Sequence, residues 1–245
     1  MGFKPVWVRV PPCPLLHKYP MPKTKLPNKD FKWTSSLAYV VGLITTDGCL
    51  SNDGRHIIMR SCDVQLLKTF KNCLNLSNKI SETFHNGWGK KRAYRIQFGN
   101  VQLYRWFLKI GLTPRKTYTI GELKIPSKYF QDFLRGHLDG DGSIWTYKDY
   151  YNTYKNPKYI YTRLYTKFIS VSEKHISWLR KNIHKLLSIR GHLYERKPKR
   201  PDQTTSLWEL KFAKNDSIKL LAWIYYDSDV PCLKRKREIA EKFIS

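Results

Sequence analysis

The segment Tyr39-Val-Val-Gly-Leu-Ile-Thr-Thr-Asp-Gly48 returns later in the chain as Phe133-Leu-Arg-Gly-His-Leu-Asp-Gly-Asp-Gly142. Gly42 falls on Gly136, Asp47 on Asp141 and Gly48 on Gly142, always 94 positions apart. Each copy reads as an apolar helix that ends in Asp-Gly. A glycine just past the last helical residue is a common left-handed stop, so Gly48 and Gly142 are expected to end their helices that way. Gly42 and Gly136 lie further up, where a missing side chain lets two helices approach closely. If the two helices pack side by side, Asp47 and Asp141 emerge together at the negative ends of both macrodipoles. Two carboxylates placed there repel each other unless a cation joins them. A hard divalent ion held by oxygen, Mg²⁺ above all, suits that position.

Outward from these segments the two halves keep the same order. The first continues into a strand-like run from His56 to Ser61 and a helical pattern of Leu66, Leu67, Phe70 and Leu74. The second continues from Leu164 to Ser172 and then through Trp178, Leu179, Ile183 and Leu186. These apolar residues recur at helical spacing. Tyr94, Ile96 and Phe98 then alternate with polar residues, as do Trp208, Leu210 and Phe212, now 114 positions apart. The second half has therefore gained twenty residues, and the Tyr- and Lys-rich stretch 146–163 is the expected place. Each half reads helix, two strands, helix, two strands, helix, and ends in a basic segment containing proline, Pro114–Thr117 or Pro231–Lys236. The division expected is a basic, Pro-rich arm (1–33), a first subdomain (34–120), a linker (121–128) and a second subdomain (129–245).

The chain has 245 residues, with 45 Lys and Arg against 19 Asp and Glu and a formal net charge of +26. That balance points to a polyanionic partner, nucleic acid ahead of a membrane surface. With 8 Trp, 16 Tyr and 11 Phe the chain can bury a substantial core, so a disordered basic tail is excluded. No stretch approaches the roughly 18 consecutive apolar residues of a membrane span. Pro5, Pro11, Pro12, Pro14, Pro20, Pro22 and Pro27 are incompatible with a helical leader, and the arm reads either as a loose tail or as a segment tracking a nucleic-acid backbone. Five cysteines, an odd number without a C-x-x-C pair, favour a reducing compartment over a disulfide or zinc framework.

The paired motifs, VVGLITTDG (40–48) and LRGHLDGDG (134–142), resemble those of the LAGLIDADG homing endonucleases in their single-chain, two-motif form. The likeness in element order covers roughly residues 35–240. It implies an α+β fold of two αββαββα subdomains related by pseudo-twofold symmetry, with the motif helices at the interface and the sheets forming a saddle over DNA. It also implies hydrolysis of both strands of a long double-stranded target with Mg²⁺, or Mn²⁺ in its place, by a monomer. Asp47 and Asp141 would hold the metal ions, with the backbone carbonyls of Thr46 and Gly140. Lys116 and Lys236 would offset charge on the scissile phosphate, although Lys234, Arg235 and Arg237 compete for the second role. Glu173, and Ser61 or Cys62, would be the polar groups supporting the centre. Four residues depart from the usual motif helices: Thr45 stands in place of an acid, Thr46 in place of a small residue, and Arg135 and His137 in place of apolar or small residues. Arg135 and His137 fit either an exposed face or a domain edge.

A saddle of this kind needs basic strands and loops in both halves. The candidates to contact DNA are Arg55, Arg60, Lys90, Arg92, Arg95 and Gln97 in the first half. In the second they are Tyr147, Lys148, Arg163, Lys167, Tyr194, Arg196, Lys199, Arg200, Gln203 and Lys211. Trp88 and Trp145 fit either core or contact. The same fold serves intron maturases, which bind intron RNA, and non-cleaving DNA-binding regulators, both of which are free to lose the acids. An unrelated nuclease built on Glu195-Arg-Lys197 is a further alternative. Through the family the chain is expected to be intron-encoded and intracellular, in an organelle (mitochondrion or chloroplast) or the microbial cytoplasm.

Overall fold

A computed structural model describes residues 31–83, 92–198 and 205–244. Nearly all of the N-terminal arm lies outside the described residues, as do Trp88, Lys90, Lys199, Arg200 and Gln203. Helix α1 (Ser35–Thr46) begins where Thr34 accepts a hydrogen bond from the Leu37 amide at 3.1 Å, a side-chain cap. Its residues from Leu37 to Thr45 are all buried. A helix buried on every side needs apolar residues on every side, and Leu-Ala-Tyr-Val-Val-Gly-Leu-Ile supplies them.

The chain continues through β1 (Gly48–Leu50), β2 (His56–Ser61), α2 (Val64–Cys73), β3 (Ser81–Thr83), β4 (Ala93–Gly99) and α3 (Val101–Ile110). After a 3₁₀ turn (Ser127–Tyr129) the order repeats as α4 (Phe130–Gly140), β5 (Ser143–Asp149), β6 (Tyr161–Ser170), α5 (Glu173–Leu187), β7 (His192–Arg196), β8 (Leu207–Phe212) and α6 (Lys214–Ile224). A last helix, α7 (Lys234–Ile244), follows. The result is a mixed α+β fold with two antiparallel sheets of matching order, β1-β2-β4-β3 and β5-β6-β8-β7.

Period-two alternation fixes which strand residues face the core. Ile57 pairs with Phe98 and Met59 with Ile96 in the first sheet, while Thr166 pairs with Phe212 and Phe168 with Leu210 in the second. All eight are buried. On the outer face, Ile58 and Arg60 lie beside Gln97 and Arg95, and Lys167 and Ile169 beside Lys211 and Glu209.

The twenty extra residues are divided between two places. The offset between equivalent residues is 94 at the motif helices and 109 between Ile57 and Thr166, so fifteen lengthen the β5–β6 hairpin. It reaches 114 between Phe98 and Phe212, and the last five lie between β6 and β8, where α5 has fifteen residues against ten in α2. Sequence periodicity could not see this division, because a longer helix keeps the same apolar spacing.

Helices α1 and α4 cross at their glycines. A Cβ on Gly42 would lie 2.2 Å from the Phe133 carbonyl oxygen, and one on Gly136 2.1 Å from that of Tyr39. Neither distance is tolerable, so backbone meets backbone at this point. The glycines at the helix ends work differently from the left-handed stop expected of them. Positive φ occurs at Gly54, Gly111 and Gly191, and the last residues of the motif helices stay right-handed, with φ −88° at Asp47 and −90° at Asp141. Each chain leaves its helix directly toward a strand and folds back over the final turn. A Cβ would then lie 2.5 Å from Ile44 Cα at Gly48, and 2.8 Å from Leu138 Cα at Gly142. The left-handed stop is found instead at Gly111, φ 104°, at the end of α3.

Candidate active site at the paired helix ends

The side-by-side packing of α1 and α4 brings Asp47 and Asp141 to the same end of the pair, Asp47 directly before β1 and Asp141 one residue short of β5. Asp47 is half-buried and Asp141 is exposed. Enclosure by the helix ends and the mutual repulsion of the two acids push the Asp47 carboxyl above its ordinary range. Asp141 is raised by the same enclosure, and Lys236 and Lys116 pull both acids the other way. Such a pair favours a bound cation.

The two lysines reach equivalent points of the repeat, Lys116 from the turn after α3 and Lys236 from α7. The Lys116 ammonium donates to the Gly48 carbonyl. The Lys236 ammonium donates to the Gly142 carbonyl at 2.7 Å and to that of Asp139 at 2.9 Å. Both side chains are buried. An ammonium at the last carbonyls of a helix answers the negative pole of its macrodipole. Desolvation lowers Lys236 to about 8, against the pull of Asp139. Among the competing basic residues, Lys234 and Arg235 are exposed, and Arg237 turns to Glu241 and the Ser228 carbonyl. The helical turn of α7 is what points Lys236 inward, and sequence alone cannot phase a run of four basic residues.

A cavity of about 190 Å³ opens here, lined among others by Thr45, Thr46, Lys116, His137, Asp141, Ser170 and His175. Thr46 and Asp141 thus share the cavity with Lys116, while Lys236 lies against the end of α4. The Gly140 carbonyl is 3.5 Å from the Lys236 ammonium. Glu173 is brought to a different place: it is the exposed first residue of α5, at the position of Val64 in the first half. Ser170 is the residue lining the cavity, and its equivalent in the first half is Ser61, whose hydroxyl accepts from the Asp63 amide at 3.0 Å. Cys62 is exposed.

Several partners here were unreadable in the sequence. Arg135 is fully buried; it pairs with Asp132 at 2.6 Å, donates to the carbonyls of Ile224 (2.7 Å) and Pro231 (2.8 Å), and lies over the rings of Tyr39 and Tyr226. Asp139 accepts from the Tyr39 hydroxyl at 2.8 Å and the Leu233 amide at 2.7 Å, so it ties α1, α4 and the start of α7 together. Its equivalent, Thr45, donates to the Val41 carbonyl of its own helix at 2.7 Å and has no such joint to make. His175 Nδ1 lies 2.8 Å from the Gly121 carbonyl, which can only accept. Its Nε2 therefore accepts from His137 Nε2–H at 3.2 Å. Burial lowers both imidazoles, His175 to about 4, so the pair is neutral.

The sheets present the remaining candidates. Arg60, Arg95, Gln97, Tyr147, Arg163, Lys167, Tyr194, Arg196 and Lys211 fall on the outer faces by strand alternation. Lys148 falls on the opposite side of β5 from Tyr147, and Arg55 packs against Gly99 in the β1–β2 loop. Arg92, just before β4, faces Glu82 at 3.5 Å. Trp145 is half-buried and stacks on Tyr165 with centroids 5.2 Å apart, with the Lys167 and Lys211 ammoniums 5.5 and 5.4 Å from its ring.

Among the described residues no group of three or more His, Cys, Asp or Glu side chains is arranged to hold a metal. Asp47 and Asp141 offer oxygen donors, the kind a hard divalent ion takes.

No protein-family model matches the sequence, and no curated protein does. Solved structures do. The endonuclease I-DmoI in complex with DNA and Ca is 15% identical, covering 84% of this chain and 97% of that one, with a TM-score of 0.53. The LAGLIDADG homing endonuclease I-LtrWI bound to target DNA is 15% identical, covering 85% and 88%, with a TM-score of 0.51. Full-length DUF199/WhiA from Thermatoga maritima is 18% identical over 85% of this chain, with a TM-score of 0.51, and this chain spans 60% of its length. At these identities the likeness concerns architecture, and the chain has the two-subdomain LAGLIDADG fold.

Proposed function

We propose that this protein is a site-specific DNA endonuclease that hydrolyses both strands of a long duplex with the help of divalent metal ions. The observation that carries this reading is the duplicated constellation at the helix ends. Asp47 and Asp141 stand together, and a buried lysine engages the carbonyl of the following glycine in each half. The subdomains would be residues 34–120 and 129–245, joined by 121–128. One chain would then supply both halves of the centre and act as a monomer.

Asp47, Asp141 and the carbonyls of Thr46 and Gly140 would hold the ions. Bound divalent ions, Mg²⁺ in the first place, supply charge neutralisation for phosphoryl oxygens and a more acidic water. The protein's own groups do the rest. Lys116 and Lys236 place fixed positive charge beside the phosphate. The outer faces of the sheets hold the duplex through Arg60, Arg95, Lys167, Arg196 and Lys211, with Arg and Lys supplying both phosphate and base contacts. Bound target DNA in the I-LtrWI structure and DNA with Ca in the I-DmoI structure support the same use of the fold here.

Asp47→Asn and Asp141→Asn test the reading directly. Each should abolish cleavage in Mg²⁺ while leaving duplex affinity in Ca²⁺ within about threefold of wild type, since phosphate contacts dominate affinity. Wild-type protein that binds duplex without cutting would make it a regulator on the same scaffold. Promotion of intron splicing without DNA cleavage would make it a maturase.

A further inference from the structure

Leu210 and Phe212 point into the core and are fully buried, so Glu209 and Lys211 of β8 point to the outer face of the second sheet. Glu209 is nevertheless only 2% exposed, because other side chains of that face cover it. Its Oε2 accepts from the Lys167 ammonium at 3.1 Å and from the Tyr194 hydroxyl, and its Oε1 accepts from Arg196 Nη1 at 3.2 Å. These partners come from β6 and β7, the two strands that flank β8. Burial and the hydrogen bond to Glu209 raise the Tyr194 hydroxyl to about 12, so it remains a donor. Burial pushes Glu209 up, but the Tyr194 hydrogen bond and the Lys167 charge outweigh it and hold the carboxyl low.

The first half has the opposite arrangement. Glu209 stands where Arg95 stands in β4, and Arg95 lies directly across from Arg60. A carboxylate on a face that binds phosphates opposes that binding, so the second sheet sacrifices attraction at this point. What it gains is rigidity. Two long cationic side chains, 16% and 37% exposed, are held by one buried acceptor. Pre-orienting a cation for a base edge lowers the entropic cost of using it.

We propose that Glu209 is a positioning residue for sequence specificity: it fixes Lys167 and Arg196 in the orientation in which they meet base edges, at the expense of general affinity. This rests on the reading above that the outer faces bind duplex DNA. Arg and Lys at fixed positions in the major groove select guanine through O6 and N7.

The test is selection from a randomised duplex library in Ca²⁺ by wild type, Glu209→Gln, Glu209→Ala and Glu238→Gln, the last removing one charge at an exposed position of α7 as a control. Binding to a fixed random duplex and thermal unfolding are measured alongside. Both Glu209 variants should lose about tenfold of the preference at one or two adjacent base pairs. Their affinity for random duplex should rise two- to threefold or more, with other positions unchanged and the melting temperature within a few degrees. Glu238→Gln should leave the selected sequence intact. Unchanged preferences in the Glu209 variants, or a uniform loss at every position together with lower melting temperature, would overturn the proposal while leaving duplex binding standing. Failure of the wild type to retain any duplex would overturn both this proposal and the functional reading.

Discussion

Arg135 shows why burial of a charge cannot be read from its neighbours in sequence. Its position in a motif helix suits an apolar residue, and its acceptors lie at Asp132, Ile224 and Pro231, up to 96 positions away. Only the folded chain brings them together. The same holds for His137, whose partner His175 is 38 residues on, and for Glu209, which in sequence looks like one more solvated strand residue. The meeting of Asp47 and Asp141 at one end of the helix pair was legible because duplication repeats them in a fixed local context, whereas Lys116 and Lys236 stand in unlike segments, Pro-Arg-Lys-Thr and Pro-Cys-Leu-Lys-Arg-Lys. Removing Arg135 leaves Asp132 buried without its main partner, and breaking a buried pair in this way costs about 3–5 kcal/mol. Arg135→Leu should lower unfolding free energy by that order in urea titration, with a smaller loss in Arg135→Leu/Asp132→Asn. At the centre itself, Lys116→Met should reduce the cleavage rate about a hundredfold, the usual size for loss of one electrostatic group, with duplex affinity little changed. Parallel cleavage and binding assays would show it.

Among the elements, the crossing of α1 and α4 has the tightest geometry. The glycine spacing announced a close approach, and the Cβ distances near 2 Å show that it is backbone against backbone. Gly42→Ala and Gly136→Ala must force the helices apart, and overpacking of this kind costs about 1–3 kcal/mol, at times more. Each should destabilise by at least about 2 kcal/mol in denaturant unfolding. Because separating the helices also separates Asp47 from Asp141, both should lose cleavage even where they remain folded at assay temperature. Strand faces were legible for a simple reason: alternation has a period of two and Ile96, Phe98, Leu210 and Phe212 keep it. The helix endings were misread at Gly48 and Gly142. Left-handed stops serve chains that leave a helix through a turn, whereas these run straight into β1 and β5. There glycine is needed for the space over the last helical turn.

At the scale of the whole molecule, the +26 charge is organised around a small set of acids. Asp47 and Asp141 sit between two buried lysines, and Glu209 sits within the cations of the second sheet. Duplex affinity should therefore depend strongly on salt, falling on a log–log plot with a slope of about −0.9 for each phosphate neutralised. Fluorescence titrations between about 50 and 200 mM salt should give a slope of about −5 or steeper; a slope near zero would remove the polyanion from the account. The most direct measurement of the central claim is cleavage itself. A randomised duplex library is incubated with the protein and Mg²⁺, and the new DNA ends are sequenced. The account predicts paired breaks on both strands clustered at one long sequence, present with wild type and absent with Asp47→Asn or Asp141→Asn. Ends no different from those of the library alone, from a protein that still retains a selected sequence in Ca²⁺, would contradict it.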